Sequence, residues 1–404
     1  QEAVRTVHKR SAERLLDLAR ANGGVYVKIG QHLSQMDYVL PEEFTTVLRA
    51  CLDDAPRTEW EGVCEVVQEE LGGAPEEVFE QFERVPIASA SLAQVHVATL
   101  KGTGERVAVK VQHRGLRETA VGDVEAVSFV VRVLSTIFPS MPMWWVADEL
   151  APMLPIELNF DNERRNGDRC REMFQEDDRV VIPKFYPNLS TKRVLTMTFE
   201  EGLSSADAEG ITGLGVSPER TAALISEVFC SQMFLHRFVH CDPHPSNLLV
   251  RRHPSGGGSP QLVLLDHGLY RELDPDFVLE YSRLWKALVF GDVQAIRRQC
   301  QVFGAGDMYP LLASMIMARP WNDILDRQAL TGQSEGEEDK DKIKLYVVKY
   351  AADIGAMMNK VPRQMLLLLK ANDCLRHVDR RLGSPTTTFV ITARISSRAI
   401  SDGR

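Results

Sequence analysis

Two short apolar runs, Leu248-Leu249-Val250 and Leu262-Val263-Leu264-Leu265, flank the turn Ser255-Gly256-Gly257-Gly258. Branched residues on either side of a glycine turn read as a β-hairpin. Pairing about that turn predicts that Asn247 faces Asp266 at the open end. An amide oxygen and a carboxylate converging there make a hard-oxygen set suited to Mg²⁺. Just upstream, Phe238-Val239-His240-Cys241-Asp242-Pro243-His244-Pro245-Ser246-Asn247 places one acid five residues before the amide. Asp242 can take or orient a proton there while Asn247 holds a metal. An ordinary loop is the alternative, because Asp, Asn, Ser and Pro are common turn formers.

An anionic ligand at such a site needs local compensation. The 404 residues are 44% apolar and 25% charged, enough for one large or two to three ordinary globular domains. Their net charge of −9 points away from nucleic acid as a partner. A nucleotide would therefore have to be met by lysine or metal. The seven cysteines, at 51, 64, 170, 230, 241, 300 and 374, form no CxxC pair and fit reduced thiols without a zinc site. The chain opens on Gln1, so an upstream targeting peptide or anchor is expected to have been removed. No apolar stretch is long enough for a membrane-spanning helix. Residues 133–147, interrupted by Pro139 and Pro142, read as a buried helix followed by a bend.

Along the chain, Leu15, Leu16, Leu18 and Ala19 recur at helical spacing until Ala21-Asn22-Gly23-Gly24 breaks the run. Pro41-Glu42-Glu43 suits a first helical turn. Thr58-Glu59-Trp60-Glu61 is a capping box, and Gly72-Gly73 ends its helix. The pattern changes near Val85. "VHVATL" and "RVAVKVQ" around Gly102 and Gly104 alternate as a hairpin, and helices are predicted over about 116–138 and 145–171. "RVVIPKFY" and "KRVLTMTFEEG" supply two further strands. After Gly202 the chain reads as helical apart from the 248–265 hairpin, with a solvated charged loop at 331–342. Trp144, Trp145 and Leu366 to Leu369 read as core.

Lys110 sits inside "VAVKVQ", with apolar neighbours on both sides. An ammonium is costly to desolvate, so a lysine there either snorkels to water or has an acidic partner. A lone lysine would favour water, but after a hairpin and ahead of the His-x-Asp…Asn set it resembles the strand lysine of kinases, whose partner is a helical glutamate. Glu163 in "ELNFDNERRN" is the first choice and Glu157 the second. Before this strand "PIASASLAQVH" offers Ala88, Ser89, Ala90 and Ser91 where a phosphate loop would carry glycines. Small side chains permit close backbone approach, but Ala90 resists positive φ, which predicts a stiffer loop.

Taken in order, "KIGQ" (28–31), "ASAS" (88–91), "VAVKVQ", "HCDPHPSN" and "DHGLY" resemble the UbiB, or aarF-domain, family of atypical kinase-like proteins. The resemblance runs from about residue 20 to 380. "DHGLY" with "VPRQMLLLLK" is most similar to the eukaryotic mitochondrial branch. It implies an α+β, kinase-like two-lobe fold that binds ATP and Mg²⁺. The expected organisation is a helical N-terminal extension over 1–85, an N-lobe with a long helical insertion over 86–200, and a helical C-lobe over 201–404. Lys110 and Glu163 would form the ion pair, Asp242 the acid/base, and Asn247 and Asp266 the metal ligands. Ala88 to Ser91 would cover the phosphates. Thr198, Phe199 and Glu200 would form the adenine hinge, with Met197 at its gate. Lys28 and Gln31 would occupy the place where a kinase receives its peptide.

Two departures stand out. Glu157-Leu158-Asn159 carries an amide where the family has an E-x-D motif, which removes a charge expected to help position Lys28 or a metal. Ser246 stands where the family usually has glycine. His240 and His244 read as loop organisers, since no spacing supports zinc. The implied setting is a mitochondrion, with a plastid as alternative, and the implied partners are a nucleotide, lipid or quinone-pathway proteins and a membrane surface. Competing readings are a small-molecule phosphotransferase, because aminoglycoside and choline kinases share the His-x-Asp…Asn loop, and a nucleotide-binding pseudokinase scaffold.

Overall fold

The computed structural model describes residues 2–34, 40–53, 57–137, 154–241, 243–325, 360–383 and 387–402. They form two compact units. The first takes residues 1–168 and 183–199, and the second takes 169–182 and 200–404.

In the first unit, helix α1 (Glu2–Asn22) buries Ala12, Leu16 and Ala19, spaced to lie on one helical face, and Gly23 and Gly24 at positive φ end it. Helix α2 (Gly24–Ser34) carries the KIGQ segment, followed by α3 (Glu42–Leu48) and α4 (Ala50–Asp53). Leu16, Ala19, Val27, Leu33, Leu48 and Cys51 form the core of this helical leader. The glycine of KIGQ has a steric reason to be there. A Cβ on Gly30 would lie 2.6 Å from Cys51 Sγ, so only glycine lets α2 approach the Cys51 segment this closely. Pro41 precedes α3 as its N-cap rather than sitting in the first turn.

The sheet of this unit has the order β1 (Phe79–Phe82), β3 (Ala93–Leu100), β4 (Arg106–Gln112), β6 (Val194–Thr198), with β2 (Ala88–Ser89) on β3. Helix α5 (Trp60–Leu71) lays Val63, Val66 and Val67 on Phe79, Ala98, Val107, Val109, Val111 and Val194. Complete burial of each such valine stabilises by roughly 1.5 kcal/mol or more. The capping box at Thr58 is not formed: Glu59 is the N-cap and makes no side-chain bond. Thr58 is drawn away instead, its N–H donating to Gln94 Oε1 at 2.8 Å and its hydroxyl lying 2.8 Å from His113 Nδ1. A short turn, α6 (Pro75–Val78), leads into β1.

Helix α7 (Leu116–Ile137) buries Leu116, Ala120 and Val131. Its last turns do not match the buried helix expected from residue 133 on: Val133 is 40% and Ile137 61% exposed, whereas Leu116 and Ala120 at its start pack on Val25 and Leu92. Residues 138–153, with Trp144 and Trp145, lie outside the described residues, as does the charged stretch 331–342. The helix expected over 145–171 is interrupted at Asn159, whose Oδ1 accepts from Asp161 N–H at 3.2 Å, and α8 (Phe160–Met173) begins after it. A short polar side chain able to satisfy an early amide makes a new helix start.

The second unit holds more strand than the sequence predicts. β5 (Val180–Val181) runs parallel to β10 (Pro260–Leu264), β10 pairs with β9 (Leu248–Arg252), and β9 with β7 (Leu203–Ser204). A separate pair joins β8 (Phe238–His240) to β11 (Tyr270–Glu272). Helices α9 (Ala208–Gly213), α10 (Pro218–Ser231), α11 (Pro275–Phe290), α12 (Val293–Val302), α13 (Tyr309–Met317), α14 (Trp321–Leu325), α15 (Arg363–Arg381) and α16 (Thr387–Ser401) make up the rest. Several starts are written in the sequence: Ser217, Asp274 and Asp292 each accept an amide of the turn they precede. Leu368 and Leu369 of α15 are buried, as expected of core. Among the described residues no helix is long and apolar enough to cross a membrane.

Asp379 on α15 is buried and accepts the Thr388 amide at the start of α16 at 2.8 Å. Burial pushes its carboxyl from 3.8 up to about 6. An acid with a raised folded pKa holds its proton more tightly when folded. Its contribution to stability is present below about pH 4 and is lost as pH rises to about 6, by roughly 3 kcal/mol at about 1.4 per unit. Asp379→Asn keeps an acceptor for Thr388, so it is expected to flatten that slope and raise stability at pH 7. Urea unfolding at several pH values checks this, and parallel pH profiles for the two proteins would reject it.

Candidate functional site

In the first unit, Lys110 is the one partly exposed position in an otherwise buried run of β4, with Val109 and Val111 on either side. It pairs in register with Val95 on β3 and Leu195 on β6. A central strand gives the side chain one direction to go. Its Nζ donates to both carboxylate oxygens of Glu163 at 2.9 Å and lies 5.2 Å from the Phe160 ring. Glu163 stands in the first turn of α8, a favourable end for a carboxylate. The side chains are 16% and 4% exposed, so the pair is held largely out of water.

Glu157, the second choice of partner, belongs elsewhere. Its Oε2 accepts Lys28 Nζ of the KIGQ helix at 2.6 Å. The charge absent at Asn159 therefore does not leave Lys28 without an acid, and the amide instead caps α8. Gln31 bridges two segments: its Nε2 donates to Cys51 O at 2.9 Å, and its Oε1 accepts the Ser91 hydroxyl at 3.2 Å.

Ala88 and Ser89 pair with Val95 and Gln94 on β3, and Ala90 N–H donates to Ala93 O at 2.8 Å to close a tight turn. None of these alanines and serines takes positive φ. Leu92 of the turn is buried with Val25, Leu116, Ala120 and Leu154. Met197 on β6 is buried opposite Ala108 and Phe185. Thr198 N–H donates to Lys184 O, and Phe199 N–H to Arg106 O, with the Arg106 guanidinium 4.4 Å over the Phe199 ring. The first unit ends at Phe199.

In the second unit, Glu200 accepts Arg251 at 2.9 Å. The hairpin exists, but its register differs from the expectation by one residue. Leu248 faces Leu264, and Leu265 N–H donates to Asn247 O at 3.0 Å, so Asn247 faces Leu265 and Asp266 is the next residue along. The loop closes at His253 N–H to Ser259 O, with Gly256, Gly257 and Gly258 all at positive φ. Ser246 Oγ reaches both His244 Nδ1, at 2.7 Å, and Asn247 Oδ1, at 3.4 Å.

Asp266 is held from two directions. Its Oδ1 accepts Gly268 N–H at 2.8 Å, and its carbonyl accepts His240 Nε2 at 2.8 Å. That carbonyl cannot donate, so Nε2 carries the proton. His240 N–H in turn donates to the buried Gln232 Oε1, and His240 pairs with Tyr270 across β8 and β11. His267 is fully buried between Leu264 O and the Tyr270 hydroxyl, at 3.1 and 3.0 Å. These bonds fix residues 238–241 and Asn247 beside the 265–270 loop. Asp242 itself lies outside the described residues. Asn247 and Asp266 offer an amide and a carboxylate oxygen from neighbouring ends of one hairpin, a donor chemistry that fits Mg²⁺ and not a soft metal. No cluster of three or more His, Cys, Asp or Glu that could hold a metal occurs among the described residues.

Sequence reasoning passed over His113, Tyr270 and Gln232, which position the residues it named. Only His113 carried a signal, as a polar ring directly after the strand of Lys110.

A β-sheet lysine bound to a helical glutamate in the first unit, and an asparagine and an aspartate at neighbouring ends of one hairpin in the second, are features of a kinase-like protein. Residues 50–300 match the ABC1 atypical kinase-like domain. An ABC1 protein of Arabidopsis thaliana is 43% identical over 98% of this chain and 77% of its own length. The AarF domain-containing protein kinase 1 of Xenopus laevis is 39% identical over 98% and 76%. The AarF domain-containing kinase 1 of Drosophila melanogaster is 40% identical over 93% and 72%. The structure of Rv3197 from Mycobacterium tuberculosis, in complex with erythromycin, has a TM-score of 0.53 at 20% identity, covering 96% of this chain and 99% of that one. That last likeness concerns the fold alone. The chain belongs to the ABC1/AarF family of atypical kinase-like proteins.

Proposed function

We propose that this chain binds ATP with Mg²⁺ and acts as an atypical kinase or ATPase in mitochondrial lipid or quinone homeostasis. The observation that carries the reading is the Lys110–Glu163 pair. Holding two charges out of water costs several kcal/mol per ion, and an ammonium oriented by both carboxylate oxygens in a sheet suits the α and β phosphates of a nucleotide. Asn247 and Asp266 would hold Mg²⁺, which when bound neutralises phosphate charge. Asp242 orients the attacking hydroxyl or water and takes its proton. Ala88 to Ser91 cover the phosphates, and Met197 to Glu200 border the adenine. By the family resemblance Lys28 and Gln31 would occupy the place where a kinase takes its peptide, which favours an acceptor other than a protein chain. Residues 1–85, 86–200 and 201–404 then serve as leader, N-lobe and C-lobe. The mitochondrial assignment and the lipid, quinone-pathway or membrane partners rest on the similarity of "DHGLY" and "VPRQMLLLLK" to that branch of the family.

The test is turnover of Mg²⁺-ATP with phosphatidylcholine vesicles, with and without an anionic phospholipid. Hydrolysis that rises severalfold with vesicles is the expected result. Phosphate transfer to choline or an aminoglycoside, indifferent to vesicles, would move the assignment to a small-molecule phosphotransferase. Binding without any turnover would make the chain a scaffold.

A further inference from the structure

The Ala90–Leu92 turn lacks the glycines that usually shape a phosphate loop, so something else must set its conformation. The residue that bonds its main chain from outside the turn's own hairpin is His113, which directly follows β4, the strand of Lys110. Its main-chain N–H donates to Leu92 O at 3.0 Å, and its ring Nε2 lies 2.8 Å from Ala90 O. A carbonyl only accepts, so Nε2 carries the proton, and in the neutral ring Nδ1 accepts the Thr58 hydroxyl at 2.8 Å. Burial favours that neutral form. Thr58 is itself fixed by Gln94 of β3, which bonds both its N–H and its carbonyl. Two of the turn's three carbonyls, those of Ala90 and Leu92, are thus drawn to one residue, which is braced against the start of α5.

We infer that His113 is a positioning residue that sets the shape of the Ala90–Leu92 turn and, through it, the preference of this protein among nucleotides of different phosphate number. The inference rests on the reading above that this turn lies over the phosphates. Turning the Ala90 and Leu92 carbonyls toward His113 points both away from a ligand on the other face of the turn, while the buried Ser91 hydroxyl is held by Gln31. In a glycine loop that choice is made by freely reached φ values; here a histidine makes it by hydrogen bonds. The shape is inherited from the strand that carries Lys110, so the turn and the lysine are registered to one another by three residues of chain.

Three variants test the inference. His113→Leu removes the ring donor, His113→Asn is too short to reach Ala90 O while staying polar, and His113→Gln keeps an N–H near the Nε2 position. Hydrogen exchange over residues 86–95 is measured without ligand, and ATP and ADP affinities are measured by calorimetric titration with Mg²⁺. In His113→Leu and His113→Asn, exchange in the turn is expected to speed up about tenfold, and the ATP-to-ADP affinity ratio to shift by about tenfold. His113→Gln should stay within about threefold of wild type in both. A folded His113→Leu or His113→Asn protein with the wild-type ratio would overturn the inference. So would a His113→Gln protein as altered as His113→Leu, because the donor would then not be what matters. If the wild-type protein binds neither nucleotide, the proposed function fails, while unchanged exchange in the variants separately overturns the role of His113.

Discussion

Glu163→Gln is expected to lower stability by about 3 kcal/mol and to abolish nucleotide binding. Lys110 Nζ is bound to both Glu163 oxygens at 2.9 Å and its side chain is only 16% exposed. Removing the carboxylate takes away the charge to which both of these bonds are made, and breaking a largely buried pair in this way costs about 3–5 kcal/mol. The lower end applies because Lys110 keeps some solvent contact. Stability and function separate in the double variant Lys110→Met/Glu163→Leu. Two apolar side chains of similar volume beside Phe160 should restore most of the lost stability, since the replacement carries no charge to desolvate. That protein should still bind no nucleotide. Urea unfolding and calorimetric titration report the two effects independently. Nucleotide binding retained by the double variant would show that the pair is structural only.

Asp266→Asn has the opposite profile: nearly full stability with loss of the metal-dependent part of binding. Asparagine keeps an oxygen for the Gly268 amide and does not disturb the carbonyl held by His240. What it loses is the charge proposed to face Mg²⁺. At a ligand concentration of about one hundred times Kd, binding stabilises the folded state by about 2.7 kcal/mol. In thermal unfolding the wild-type protein should gain more from ATP with Mg²⁺ than from ATP alone, and the variant should lose that difference. An undiminished gain in the variant would remove Asp266 from the metal site.

What could be read from the sequence follows the range of the interaction. Lys110 in an apolar strand needs either water or an acid, and it was the kinase-like motifs around it that pointed to a helical glutamate such as Glu163. The 248–265 hairpin was legible from the glycine turn, but its register was not. Loop closure at His253 and Ser259 depends on the His253 ring meeting the Ser255 hydroxyl and amide, a local side-chain choice that shifts Asn247 from Asp266 to Leu265. The β8–β11 pair was missed because three residues of mixed Phe, Val, His, Tyr, Arg and Glu show no alternation, and pairing came from the buried His240–Tyr270–His267 group. At Thr58 a good capping sequence lost to bonds with Gln94 and His113, far away in the chain. At Asn159 the reverse happened, and one amide ended a helix that periodicity would have continued. The family motifs were legible throughout as short strings; the residues that brace them were not, because each acts through a contact remote in sequence.

Calorimetric titration of the full chain with ATP, with and without Mg²⁺, tests the central claim most directly, with Asp266→Asn alongside. The account predicts saturable binding by the wild-type protein that strengthens with Mg²⁺, and binding by Asp266→Asn that does not respond to the metal. Folded wild-type protein that takes up no ATP, or takes it up equally with and without Mg²⁺, would contradict it.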